Sequence, residues 1–156
     1  MPLDLKVNGL THNIVADRDA LLIDVLRHEL LLVGTKLGCG QEQCGCCVVL
    51  LDGAPIYACT TKLAQCIDKS VQTVEGLVDE AGHLHPLQQA FIDLNAAQCG
   101  YCTAGILMRA KALLDTNKRP ERSEIIEALD GHLCRCGAHP RIIRAIERAA
   151  LRLASV

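Results

Sequence analysis

Residues 36–59 read KLGCGQEQCGCCVVLLDGAPIYAC. Within this stretch Cys39, Cys44 and Cys47 follow a C-x₄-C-x₂-C pattern, and Cys59 comes after eleven intervening residues. This is the spacing by which plant-type ferredoxins hold a 2Fe–2S cluster. Zinc sites instead bring together paired C-x₂₋₄-C elements. Gly34, Gly38, Gly40 and Gly45 accompany the cysteines. Such glycines let a loop curl tightly and bring backbone N–H groups close to an anionic cluster. Cys46 falls outside the spacing and is read as a spare thiol.

The chain carries ten cysteines in all. A disulfide framework explains them poorly. Asp4 and Lys6 interrupt the N-terminus where a signal peptide needs an unbroken apolar stretch, which points to a cytoplasmic protein kept reduced. The neighbours Cys46 and Cys47 cannot readily meet disulfide geometry with each other. Cys66, alone in LAQCID, reads as a buried inert thiol. A second group remains: Cys99-x₂-Cys102 and, after thirty-one intervening residues, Cys134-x-Cys136. By spacing alone, four such thiolates suit either zinc or a second 2Fe–2S cluster.

Around these groups the sequence divides. Its 156 residues suffice for one ordinary domain or two small ones. In the first half Leu3, Leu5 and Val7 alternate, Asn8-Gly9 signals a hairpin, and Leu10, His12 and Ile14 alternate again. A helix is expected near Leu21–Leu31, with Leu22, Val25, Leu26 and Leu30 inward. Strands are expected at Val48–Leu51, Ile56–Cys59 and near Ser70–Val74, the first two joined by Asp52-Gly53. The second half reads as helices: one opened by Pro86, one from Thr103 to Thr116, one over Glu124–Leu129 capped by Ser123, and a last one opened by Pro140. In the last, Ile143, Ile146, Ala150 and Leu153 are expected to face the core. Arg141, Arg144, Arg148 and Arg152 are expected to form a solvated face, with docking onto an acidic partner as the alternative. The linker falls near Glu75–His85. The fold class is therefore α+β, with domains at 1–76 and 77–156. Each pair of second-half cysteines sits near a helix start, where the dipole favours thiolates.

Composition excludes other classes. A formal net charge of −2 argues against a nucleic-acid binder, and the short apolar runs argue against a membrane span. There are only three aromatic residues, so something besides large rings is expected to organise the core. No nucleophile–base pair stands out, so no catalytic residue is assigned. His83 and His85 read as part of a polar loop. His132 and His139 flank the last cysteines, where they could tune a cluster.

KLGCGQEQCGCCVVLLDGAPIYAC, VQTVEGL, QCGYCTAGILM and LCRCG together resemble the small iron–sulfur subunit of the molybdenum hydroxylases, the xanthine dehydrogenase family. The resemblance covers nearly the whole chain. It implies a β-grasp plant-type ferredoxin domain followed by a four-helix bundle, each with one 2Fe–2S cluster. Cys39, Cys44, Cys47 and Cys59 match the first ligand set; Cys99, Cys102, Cys134 and Cys136 match the second. Gln98 and Cys136 match positions that contact molybdopterin, as its cytosine dinucleotide, carried with molybdenum by a separate large subunit. Either a flavin subunit or a cytochrome would accept the electrons. Cys46 departs from the family's usual Ala, and Thr103-Ala104 from its frequent Thr-Pro. CRCGAHPRI and HPLQQAFIDLNAAQCGYC look closest to the isoquinoline and nicotinate dehydrogenase type, which implies an N-heteroaromatic substrate. The alternatives are membership of an aldehyde-oxidising complex and a free-standing ferredoxin-like carrier.

Overall fold

The computed structural model describes residues 2–155. Five strands form one mixed sheet: β1 (Leu3–Val7), β2 (Leu10–Ile14), β3 (Val48–Leu51), β4 (Ala54–Tyr57) and β5 (Ser70–Gln72), in the order β2-β1-β5-β3-β4. β1 runs parallel to β5, and the other neighbours are antiparallel. The two hairpin turns, Asn8-Gly9 and Asp52-Gly53, have positive φ at both central residues, the primed geometry that matches strand twist.

The helix expected near Leu21–Leu31 is shorter and wound differently. One α-turn, α1 (Leu22–Asp24), passes into a π-helical turn at Val25–Glu29. The wider turn carries Leu22, Ile23, Val25 and Leu26 all inward, while Leu30 stays half-buried at the edge. The strand expected to reach Val74 stops at Gln72. The Asn8 side chain holds Thr73, donating to its Oγ1 (2.9 Å) and accepting from its N–H (2.8 Å), and the chain then turns into a 3₁₀ segment, Val74–Leu77.

Four helices follow: α2 (Pro86–Asp93), α3 (Thr103–Thr116), α4 (Arg122–Ala128) and α5 (His139–Leu153). α3 has the expected bounds. α4 starts one residue before Ser123: Glu121 precedes it and its N–H is taken by the Glu124 carboxylate at 2.6 Å. In α5 the fully buried residues are Ile142, Ala145, Ile146 and Ala149, while Ile143 and Leu153 sit at the margin. The many alanines let α5 approach its neighbours closely. The arginine face is also not purely solvated. Arg152 (2.8 Å) and Arg148 (3.7 Å) reach Asp93 on α2 of the same chain. In the linker His83 pairs with Asp79 at 3.0 Å, and His85 Nδ1 accepts the Leu87 N–H at 3.2 Å at the start of α2.

Two apolar cores result, and β3 divides them. Val48 and Leu50 pack with α2, α3 and α5; Val49 packs with β1, β5 and α1. A strand sends successive side chains to opposite faces, so a strand buried on both faces can serve two cores. Aliphatic side chains fill both; of the Phe and Tyr rings among the described residues, Phe91 alone is buried.

Candidate iron–sulfur sites

The alternation of β3 already operates at the two cysteines that precede it. Cys47 shares its face with Val49 and enters the sheet core; Cys46 shares its face with Val48 and enters the helical core. Adjacent thiols are thus committed to opposite sides of the strand.

Cys39, Cys44, Cys47 and Cys59 lie in neighbouring pairs, although among the described residues no three His, Cys, Asp or Glu side chains close up as a metal site. Cys39 N–H donates to Cys44 Sγ at 3.3 Å, Cys47 lies beside Cys59, and Cys47 lies within electrostatic reach of Cys44. The loop aims further donors at sulfur: Gln41 N–H (3.3 Å) and Gln43 N–H (3.2 Å) both point at Cys39 Sγ. These backbone donors draw the Cys39 thiol down to about 7, against the opposing effect of its own partial desolvation. Burial has the reverse effect on Cys47, pushed up to about 12. The set grades from an exposed member, Cys39, to the buried Cys47 and Cys59.

The second set is arranged in the same way. Cys99 lies near Cys136 and within reach of Cys134, and Cys102 lies near Cys134. Cys102 immediately precedes α3; Cys134 and Cys136 precede α5. Backbone N–H groups of Ala138, Cys136 and Gly137 face Cys134 and help lower its thiol pKa despite burial. Cys99 is exposed, next to exposed Gln98. The exposed member is Cys39 in one set and Cys99 in the other, and both line one shared cavity.

Between the sets the backbones touch. Leu133 N–H donates to the Cys44 carbonyl at 3.1 Å. A Cβ on Gly105 would collide with the Gly45 carbonyl oxygen, and one on Gly45 with the His132 ring, so α3 and His132 press directly on the 44–46 peptide. His132 is 2% exposed and makes no well-formed hydrogen bond through either ring nitrogen; the Asp130 backbone offers only a weak one. Burial, aided by the Arg109 charge, pushes its pKa down to about 4, so the ring is neutral. A cavity of about 250 Å³ lies along this seam, lined by cysteines of both sets and by Tyr101, whose hydroxyl donates to the Leu37 carbonyl at 2.6 Å. Sequence reasoning placed His132 beside the motif but could not see its contact with Gly45. A glycine between two cysteines was the sole hint of a close approach.

The donor chemistry suits an anionic cluster: all-thiol sets with backbone N–H groups aimed at sulfur. Residues 5–70 match the family of 2Fe-2S iron-sulfur cluster binding domains, and residues 73–147 the family of [2Fe-2S] binding domains. Over 148 residues the chain is 46% identical to a nicotinate dehydrogenase subunit of Pseudomonas putida, covering 95% of this chain and 94% of that one. The chain belongs to the small iron–sulfur subunits of the molybdenum hydroxylase family. Zinc is thereby set aside for both cysteine groups, and so is a free-standing ferredoxin. This small subunit superimposes on quinoline 2-oxidoreductase from Pseudomonas putida 86 with a TM-score of 0.93 at 39% identity, covering 99% of this chain and 96% of that chain. It is also 43% identical to aldehyde oxidoreductase of Megalodesulfovibrio gigas over 94% of its own length but 16% of that protein. In that relative the small subunit's counterpart is one segment of a longer polypeptide. Among the described residues of the small subunit, no helix is long and apolar enough to cross a membrane.

Proposed function

We propose that this chain is the non-catalytic electron relay of a molybdenum hydroxylase complex, and that Cys39, Cys44, Cys47 and Cys59 hold one cluster while Cys99, Cys102, Cys134 and Cys136 hold the other. Each 2Fe–2S cluster, when bound, supplies a one-electron store between thiolates. The observation that supports the reading is the seam, where one hydrogen bond from Leu133 to Cys44 ties the two cysteine motifs together.

In this reading the chain divides at 1–76 and 77–156, a β-grasp ferredoxin domain and a four-helix bundle. The backbone donors at Cys39 and Cys134 offset thiolate charge. Electrons enter on the side of Cys99 and Cys136, where exposed Gln98 is free to meet the molybdopterin, as the cytosine dinucleotide, of a large partner subunit. Exposed Tyr101 and Leu133 line the cavity and give that partner an apolar surface to cover. Electrons leave by exposed Cys39 toward a flavin subunit or a cytochrome. The compartment is the cytoplasm, where ten thiols stay reduced. The substrate is an N-heteroaromatic such as nicotinate or isoquinoline, supported by the nicotinate dehydrogenase relative and by CRCGAHPRI. An aldehyde is the second reading, favoured by the 43% identity to an aldehyde oxidoreductase.

Co-purification from the native source with metal analysis tests this. A large molybdenum-containing partner is expected, with reduction of the visible iron–sulfur absorbance by a pyridine or quinoline carboxylate or parent ring. Isolation of the fully loaded chain without any molybdenum partner would overturn the relay, and bleaching by aldehydes alone would favour the second reading.

A further inference from the structure

Cys46 is left without a role by the two ligand sets, yet its position is tightly built. It is 6% exposed, and strand parity turns it into the helical core with Val48, Leu50 and Cys102. Its S–H stands 4.0 Å from the Cys44 carbonyl oxygen, too far to hold it, and the Cys44 sulfur lies beside it. The two sulfurs converge on one point of backbone: a Cβ at Gly38 would stand 2.6 Å from Cys44 Sγ and 3.4 Å from Cys46 Sγ. The peptide between them cannot swing, because Gly45 is wedged between His132 and Gly105. Cys46 also lines the cavity that both sets share.

A thiol so placed has one acceptor that gains charge on reduction. A thiolate sulfur bound to iron becomes more electron-rich when its cluster takes an electron. A donor held against it stabilises the reduced state more than the oxidised one, so the potential rises. We propose that the Cys46 S–H donates to the Cys44 sulfur and raises the reduction potential of the first-set cluster, making passage of electrons out of the helical half more favourable. Cys46 is thus a tuning residue that acts through Cys44. The inference rests on the ligand assignment made above for Cys44.

The assembled complex carrying Cys46→Ala or Cys46→Ser is titrated electrochemically, with the two clusters followed separately by electron paramagnetic resonance. Cys46→Ala is expected to shift the first-set potential downward and to move the second-set potential less. Cys46→Ser, which keeps an O–H donor, is expected to return it toward the wild-type value. An unmoved or raised first-set potential in Cys46→Ala, or identical shifts in the Ala and Ser variants, would overturn the proposal. Wild-type protein provides a check independent of folding. The S–H stretch lies in an infrared window clear of other protein bands, and reduction of the first-set cluster is expected to shift it to lower frequency. An S–H band that does not move would also overturn the tuning role. Iron counts separate the two failures: undiminished iron in Cys44→Ala sinks the ligand assignment, whereas full iron with an unmoved potential in Cys46→Ala sinks only the role of Cys46.

Discussion

The backbone N–H of Leu133 donates to the carbonyl of Cys44 at 3.1 Å, so the residue before one cysteine motif is bonded to a cysteine of the other. Three further contacts hold that bond in place. Gly105, three residues after Cys102, lies on the Gly45 carbonyl, and the His132 ring covers Gly45 from the other side. His139 Nε2 meets the His132 carbonyl at 2.8 Å, fixing the segment that leads into α5. Sheet and helices therefore meet at the cysteines themselves.

The seam predicts a sharp sensitivity at Gly105. Cβ there meets a backbone carbonyl that cannot rotate away, so the helix must retreat. Overpacking of this kind costs about 1–3 kcal/mol. Gly105→Ala is expected to lower the unfolding temperature and to weaken the magnetic interaction between the two clusters. Unchanged unfolding and unchanged spectra would mean that the seam yields freely.

The cysteines outside the spacing give a second prediction. Cys66 is fully buried among Leu22, Leu26 and Leu63 in the sheet core, and burial pushes its thiol up to about 11, as befits an inert side chain. Cys66→Ala is expected to cost about 1 kcal/mol in stability and to retain about four iron and four sulfide per chain, two of each for either 2Fe–2S cluster. Cys47→Ala is expected to lose half of both. Iron and sulfide analysis decides it, and a half-loaded Cys66→Ala beside a fully loaded Cys47→Ala would reverse the assignment.

Much of this was legible in the sequence because the signals are local. Cysteine spacing, the turns at Asn8-Gly9 and Asp52-Gly53, and the bounds of α3 depend on neighbours within a few residues. What escaped depends on distant ones. The π-turn at Val25–Glu29 answers to the sheet it covers, and the choice of Ile142 over Ile143 answers to how α5 is rotated against α2 and α3. Arg148 and Arg152 read as solvated because Asp93 lies more than fifty residues away in sequence. The opposed fates of Cys46 and Cys47 follow from strand alternation, but only once the strand is known to be buried on both faces.

A third prediction concerns pH. His85 opens α2 by accepting the Leu87 N–H at Nδ1, which requires a ring nitrogen free of its proton. Burial holds its pKa below the ordinary histidine value of 6.5; the nearby charges of Lys111 and Lys118 push the same way and that of Asp115 opposes them. Below 6.5 the unfolded chain therefore binds more protons than the folded one. Stability from this group is full above 6.5 and is lost as pH falls through the folded value. His85→Asn keeps a capping side chain without the titration, and capping is worth about 1 kcal/mol. Thermal unfolding between pH 8 and about pH 5 should show a smaller acid loss in His85→Asn than in the wild type. Parallel curves would remove His85 as the cause.

The last prediction concerns the order of the two sites. Exposed Gln98 and half-buried Cys136 stand by the second set, on the side proposed to meet the molybdopterin. The exposed member of the first set is Cys39. If electrons pass from the second set to the first across Leu133 and Cys44, disabling the first set interrupts only the exit. Cys44→Ser in the assembled complex is expected to lower turnover with the outer acceptor by about a hundredfold or more, a barrier increase of about 2.8 kcal/mol. Substrate added in a single turnover should still reduce the molybdenum centre and the second-set cluster, seen by electron paramagnetic resonance of rapidly frozen samples. Cys102→Ser is the converse case: substrate should then reduce molybdenum but leave the first-set cluster oxidised. Full acceptor turnover in Cys44→Ser, or prompt reduction of the first-set cluster in Cys102→Ser, would show that electrons reach the exterior without crossing the seam.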